Sequence, residues 1–484
     1  MDENQISRVI EEINNNFDSV ISETQRFVRQ RGISATGEGM EESFEMTKSY
    51  LEQFGADGIK EYPSKNYPYL YCKFNSKKQK ARTMVAYCSM DMVPVNPKEW
   101  VVPPHNAEIC DPSVIGLPER LGKIMIGRGT SDKRGEWMSF MSVLRAIRHI
   151  IKDIPLNIHF IMDFQEEIGA PDWDTFIPQM RNVVADADFA WMPVFAQDLK
   201  GVLEILCGYK GLMMFELSCR GGEWGGNRDA RDMWSPHSHL YDSPVKKLLQ
   251  AVTSLWDKEG EIAIRGVKEA AAIPPEDQKY WAIFRDEFDP ETDLKVMNVS
   301  RFRDGKDGKK LYTEFLQGPI LNLSGIISGQ TGERFSSVFP QSGTAKFDLR
   351  FGPPMTTSKA EGLIRKHLDD NGFGMVDLKV VGRLEPGKSP TDHPIVKATI
   401  KATQAMGVKY RVCPISKAAD PLGSFCRPPF NLPEVIGGLG IMGRVHMPNE
   451  FTSLNGMKDF MKHTVRVLDE FSKLDEIPKN RMDI

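Results

Sequence analysis

The chain has 484 residues, of which 40% are hydrophobic, with 62 Lys and Arg against 66 Asp and Glu. This is ordinary for a soluble protein of two or three domains, and a net charge of −4 gives no basic footprint for nucleic acid. No apolar run is long enough to span a bilayer, and seven scattered cysteines without CxxC spacing read as the reduced thiols of a cytoplasmic protein.

The N-terminal MDENQISRVIEEINNNFDSV is acidic and amphipathic, unlike a signal peptide. From Glu3 to about Phe54 apolar residues recur at helical spacing, which predicts two helices separated by the loop RQRGISATGEG. YLYCKF and TMVAYC read as strands, and the second runs into a polar turn at Cys88, Ser89 and Asp91. The stretch IMIGRGTSDKRG carries Asp132 from a glycine-rich turn into an apolar helix. Asp132 is of a type that caps helices, so it reads either as an N-cap or as a carboxylate delivered to a site. The helix behind it aligns Trp137, Phe140, Met141, Leu144 and Ile147 on one face. A strand from Leu156 to Phe164 then ends in Glu166 and Glu167, and in an open α/β sheet the carboxyl ends of strands are where ligands bind. His446 follows a glycine-rich apolar segment in GGLGIMGRVHMPNEF.

The motifs GRGTSDKRG, QEEIGAPD and HMPNEF, in this order and spacing, resemble the dinuclear-zinc family of carboxypeptidase G, aminoacylase, carnosine dipeptidase and succinyl-diaminopimelate desuccinylase. The resemblance covers nearly the whole chain. It implies an α/β fold: a doubly wound, mixed-sheet catalytic domain over 1–208 and 387–484, with an α+β lid and dimerisation domain of order βαββαβ inserted at 209–386. In such a site the aspartate matching Asp132 bridges two ions, Glu167 and His446 hold one of them, and Glu166 is the general base. The family has a histidine where Ser89 stands, two residues before Asp91, and a later acid where Pro193 and Val194 stand. Both private ligands of the other ion are therefore missing. A serine hydroxyl is a poor zinc ligand, and Cys88 belongs to the opposite face of its strand. The expectation is one divalent ion per chain, Mn, Zn or Fe, on Asp132, Glu167 and His446.

The lid reads as strands GLMMFELSCRG, ILNLSGIISG, GTAKFDLRF and MVDLKVVG, with helices from Ser243 to Trp256 and Ser358 to Asp369. A charged insertion at about 257–318 reads as a surface excursion. By resemblance, Arg350 binds a substrate carboxylate, His237 or His239 approaches the scissile carbonyl, and the lid forms a homodimer. Lys417 and Arg427 in ISKAADPLGSFCRPP suggest an anionic substrate group. The implied activity is hydrolysis of a C–N bond in a small carboxylate-bearing substrate by a metal-activated water. Three alternatives stand beside it: deamination of an activated aromatic amine, as in the single-metal relative 5-nitroanthranilate aminohydrolase; a conventional dinuclear dipeptidase with substitute ligands; and a non-catalytic binding protein.

Overall fold

The structure, a computed structural model, describes residues 1–269, 274–297, 299–333 and 336–480. The chain divides into two compact units, one formed by Met1–Gly208, Lys388–Ser416 and residues 424–480, the other by Tyr209–Gly387 with Lys417–Gly423.

In the first unit four strands, Asn157–Asp163, Thr83–Ser89, Phe189–Gln197 and Glu434–Gly443, lie side by side and parallel. Tyr69–Phe74 pairs antiparallel along Asn157–Asp163, and Asp57–Tyr62 lies beyond it. Every residue of Thr83–Ser89 is buried, as a continuous apolar run requires when both faces of a sheet are covered. Helix Arg134–Ile151 supplies one cover, with Trp137, Phe140, Met141, Leu144 and Ile147 all buried. Phe140 packs edge-on against Phe160 and Trp191 of the sheet, at centroid distances of 5.7 and 5.9 Å. Burying a side chain of that size stabilises by about 1.5–3 kcal/mol.

The N-terminal region holds three helices, not the expected two: Glu3–Asn15, Phe17–Arg29 and Met40–Gln53. The buried stripe Ile6, Val9, Ile13 continues as Phe17 and Val20, so periodicity runs straight through the break. Asn16 makes it: its backbone N–H and its side-chain amide both donate to Glu12 O, at 3.1 and 2.9 Å, and close the first helix.

Helix Leu454–Ser472 buries His463, whose Nε2 lies 3.0 Å from Thr403 Oγ1. Burial pushes its pKa down from 6.5 to about 3. A histidine with a depressed folded pKa takes up its proton mainly when unfolded, so its share of stability is intact above about pH 6.5 and is lost as pH falls toward 3. Thermal melts from pH 8 to pH 4 should therefore show an acid-side loss of Tm that His463→Gln makes shallower; an unchanged slope would remove His463 from the cause.

The second unit is built on four antiparallel strands in the order Ile320–Ser328, Ser342–Phe351, Gly208–Arg220, Asp377–Leu384, the main path of its sheet. Helices Pro244–Ser254 and Thr357–Asp370 contribute Leu248, Val252 and Ile364 to a core with Phe215, Leu217 and Phe347 from the strands. Strand, helix, two strands, helix, strand is the split βαβ order. The insertion is more than a surface excursion. It contains helices Gln278–Glu287, Pro290–Val296 and Gly308–Gln317, buries Trp281, Phe284 and Leu316, and stacks Phe288 on Tyr312 at 4.0 Å. Its apolar residues, spaced three and four apart between charged ones, are what close this small layer. Among the described residues no helix is long and apolar enough to cross a membrane.

Candidate metal centre

Three chain segments meet at the carboxyl ends of the parallel strands in the first unit. Ser89 pairs in register with Asp163, so the turns that follow these two strands emerge together. Met90 N donates to Asp163 O at 2.7 Å and carries the chain to Asp91, which is buried. Asp91 Oδ2 accepts from Glu167 N at 3.0 Å, which fixes the short 3-10 turn Glu166–Ile168. Glu166 is half-buried in that turn.

The second segment is the loop Gly127–Lys133, and Glu450 shapes it. Glu450 Oε1 accepts from Gly129 N, Ser131 N, Ser131 Oγ and Asp132 N at 3.0, 3.0, 3.2 and 3.2 Å. Its Oε2 takes Arg128 at 2.5 Å, and that guanidinium also lies over the Trp100 ring. Gly129 has φ +91°, which suits glycine, and a Cβ on Gly135 would sit 2.0 Å from Thr130 O. Asp132 is not the helix cap. The helix starts at Arg134 with Lys133 in the cap position and no side-chain cap bond. Arg134 anchors the start instead, its fully buried guanidinium donating to the carbonyls of Phe27, Gln30 and Met90 and to Ser43 Oγ. The Asp132 carboxylate is thereby left for another task.

The third segment is the loop after Glu434–Gly443, where Arg444, His446 and Asn449 all have φ near +60°. Such backbone is uncommon for residues with side chains and collects at functional sites. His446 Nε2 lies 2.8 Å from Asp132 Oδ2 and 3.0 Å from Glu167 Oε2. Hydrogen bonds to Asp132 and Glu167 raise the His446 pKa. Burial, then the neighbouring Asp132 charge, raises Glu167. Burial also pushes Asp132 up, but the His446 bond and the Lys133 charge outweigh it and hold that carboxyl low.

Asp132, Glu167 and His446 each offer one ligand atom, all within 4.8 Å of one another. Bonds of about 2.0–2.2 Å in tetrahedral arrangement separate ligand atoms by roughly 3.4 Å, so the side chains would open by about half an ångström to admit an ion. Two carboxylates and an imidazole suit zinc, manganese or iron. The residues fit a divalent cation.

The remaining expected site residues fall as follows. Ser89 Oγ and Asp91 Oδ1 are buried without a hydrogen-bond partner. The Cys88 thiol is buried and directed to the carbonyls of Ser89 and Lys133. Arg350, His237 and His239 belong to the second unit. There the Arg350 Nε lies 3.7 Å from Asp348 Oδ1, while His237 packs on Trp234 and Tyr241 in the turn Ser235–His239. Arg427 is buried and already engaged, so it is not an open cation awaiting an anion, and Lys417 lies over the Phe315 ring. Two buried acids had no place in the expected site: Glu450 and Glu136, whose Oε1 accepts from Phe195 N at 2.7 Å. An acid four residues after a ligand-type aspartate and another four after a ligand-type histidine were the available signals.

A convergent carboxylate and imidazole triad with a glutamate beside it, set at the strand ends of a doubly wound sheet, defines the metallohydrolase type of architecture. The model of peptidase family M20/M25/M40 matches residues 86–471, and the chain belongs to that family. It is 25% identical over 319 residues to the Beta-Ala-His dipeptidase of Rattus norvegicus, covering 62% of this chain and 58% of that one. It is likewise 25% identical over 317 residues to the Cys-Gly metallodipeptidase of Saccharomyces cerevisiae, covering 62% and 60%. The chain thus spans less than two thirds of the length of these curated relatives. In fold it is similar to an M20 family metallo-carboxypeptidase from Sulfolobus solfataricus, with TM-score 0.82, 24% identity and coverage of 94% of this chain and 99% of that one. The corresponding values for human carnosine dipeptidase 1 are 0.76, 18%, 97% and 100%.

Proposed function

We propose that the chain is a metal-dependent hydrolase cleaving the C–N bond of a small, dipeptide-like substrate that carries a carboxylate, with one divalent ion on Asp132, Glu167 and His446. The observation that carries this reading is the convergence of those three side chains, from three separate segments, on a space that fits one cation. The dipeptidase relatives support the substrate class, and the lack of a ligand at Ser89 and Val194 supports a single ion.

A bound ion supplies Lewis acidity, which makes water acidic near neutral pH. The chain's own residues do the rest. Glu166 accepts the proton of the attacking water and delivers it to the departing nitrogen. Asp91 holds the turn that presents Glu167, and Glu450 holds the loop that presents Asp132. In this reading Arg350 offers its planar fork to the substrate carboxylate, His237 or His239 donates to the carbonyl oxygen, and the lid pairs two copies in a reducing cytoplasm. Elemental analysis of purified protein should give one Mn, Zn or Fe per chain. A chelator should abolish hydrolysis of a dipeptide panel and the metal should restore it. Two ions per chain would overturn the single-ion part. Ammonia released from activated aromatic amines, with every dipeptide untouched, would replace peptide hydrolysis by deamination, and inertness toward both would remove the enzymatic reading.

A further inference from the structure

The charged insertion of the second unit helps to enclose a cavity that the hydrolase reading does not use. It measures about 630 Å3 and lies where the helix Gly308–Gln317 runs on into the strand Ile320–Ser328. Trp256, Ile262, Phe302, Leu311 and Ile320, all half-buried, line it together with Phe315, which is 40% exposed. Trp256 and Ile262 pair in an isolated β-bridge and pack on the core of the unit. The wall is also held at the end of the helix, where the buried Lys210 ammonium donates to Phe315 O and Gly318 O at 3.0 and 2.7 Å and so takes up carbonyls that have no partner within the helix. Apolar side chains left half open around a preformed space of this size are what a small-molecule pocket is made of.

On one side the apolar lining gives way to charge. Glu261 Oε1 accepts from Arg303 Nη2 and Lys306 Nζ at 2.6 and 2.8 Å, and its Oε2 accepts from Lys268 Nζ at 2.9 Å. A smaller cavity of about 450 Å3 shares Glu261, Lys268, Leu311 and Glu314 with the first and adds Lys306, Asp307 and Lys310. Across the two, four cations, Lys268, Arg303, Lys306 and Lys310, meet three acids, Glu261, Asp307 and Glu314, which leaves an excess of one positive charge. Asp307 is already occupied as a helix cap, accepting from Lys310 N at 2.7 Å, and Glu314 lies 4.0 Å from Arg303.

We propose that this cavity binds a small carboxylate with an apolar body, of the medium-chain or aromatic kind, its body against Trp256, Ile262 and Leu311 and its head among Lys268, Arg303 and Lys306. The apolar wall supplies the affinity and the cations select the charge. Glu261 competes with the ligand for those cations. The site belongs to the second unit alone and uses no metal.

Octanoate is the probe, with 1-octanol and acetate as its two halves, each titrated calorimetrically into the full, metal-loaded chain. Octanoate should bind, 1-octanol about tenfold more weakly and acetate not at all. K268Q/R303Q removes two partly exposed charges and should weaken octanoate by about tenfold while leaving 1-octanol unchanged. E261Q should tighten octanoate by about threefold, because a competing carboxylate has gone, whereas a merely structural Glu261 would give the opposite sign. L311E puts a further acid into the apolar wall and should abolish octanoate binding. Circular dichroism confirms the fold of each variant, and if L311E fails to fold, the two charge variants decide. No binding of octanoate at about 1 mM, equal binding of octanoate and 1-octanol, an E261Q chain that binds octanoate no tighter than wild type, or unchanged affinity in K268Q/R303Q or in a folded L311E would each overturn the site.

Discussion

Glu166→Gln should keep its divalent ion and lose hydrolysis by on the order of a hundred- to ten-thousand-fold, the usual contribution of a positioned general base. Glu166 and Glu167 are chain neighbours in one short turn, yet their surroundings separate their tasks. Glu167 has its backbone N–H on Asp91 and its carboxylate against His446, and its side chain is 4% exposed. It is committed to the triad. Glu166 sits outside the triad in the same turn, half-buried, where a proton acceptor can meet water. Glutamine preserves the shape of Glu166 and cannot accept the proton, so kcat should fall with little change in KM, and metal content should stay at the wild-type value. Glu167→Gln should behave differently, lowering metal content as well as rate. A Glu166→Gln enzyme with full turnover would transfer the proton to another group and break the assignment.

That Asp132, Glu167 and His446 would meet is legible in the sequence, for a physical reason. An apolar run long enough to be a covered strand, ending in acidic or glycine-rich residues, marks the edge of a buried sheet where polar side chains need a purpose. Asp132, Glu167 and His446 each stand at such an edge. What stayed hidden was what one sequence position cannot reveal about another. Asp132 carries both the identity and the location of an N-cap, and only the placement of Lys133 and Arg134 shows that the helix starts later. Asn16 breaks a helix while leaving the apolar stripe unbroken. Arg134 looks like a surface residue by type and is wholly buried, because four acceptors from distant segments collect around it. The insertion reads as solvated because of its charge, and its few apolar residues are enough to bury Trp281 and Phe284.

Glu450 was the least legible of these residues, and its removal should cost the most stability. Glu450→Ala leaves the Arg128 guanidinium, 3% exposed, without its carboxylate, and it frees the N–H groups of Gly129, Ser131 and Asp132 from their common acceptor. Removing one partner of a buried ion pair costs on the order of 3–5 kcal/mol. The damage is also directional, since the loop that loses its anchor is the one that aims Asp132 at His446. Ion affinity should fall by about 10- to 100-fold, the range for groups that orient a metal ligand. Chemical denaturation and chelator competition on the same samples measure the two effects separately. Glu450→Gln should fall between: the shape is kept, one oxygen still accepts, and the Arg128 charge goes unanswered. Glu3→Ala is the control, because its pair with Arg466 is exposed to solvent and contributes little. If Glu450→Ala kept both wild-type stability and wild-type ion affinity, the glycine-rich loop would be holding Asp132 in place unaided. The HMPNEF segment would then contribute only its histidine to the centre. If both quantities fall together, Glu450 is the link by which the C-terminal segment brings His446 and Asp132 to the same ion.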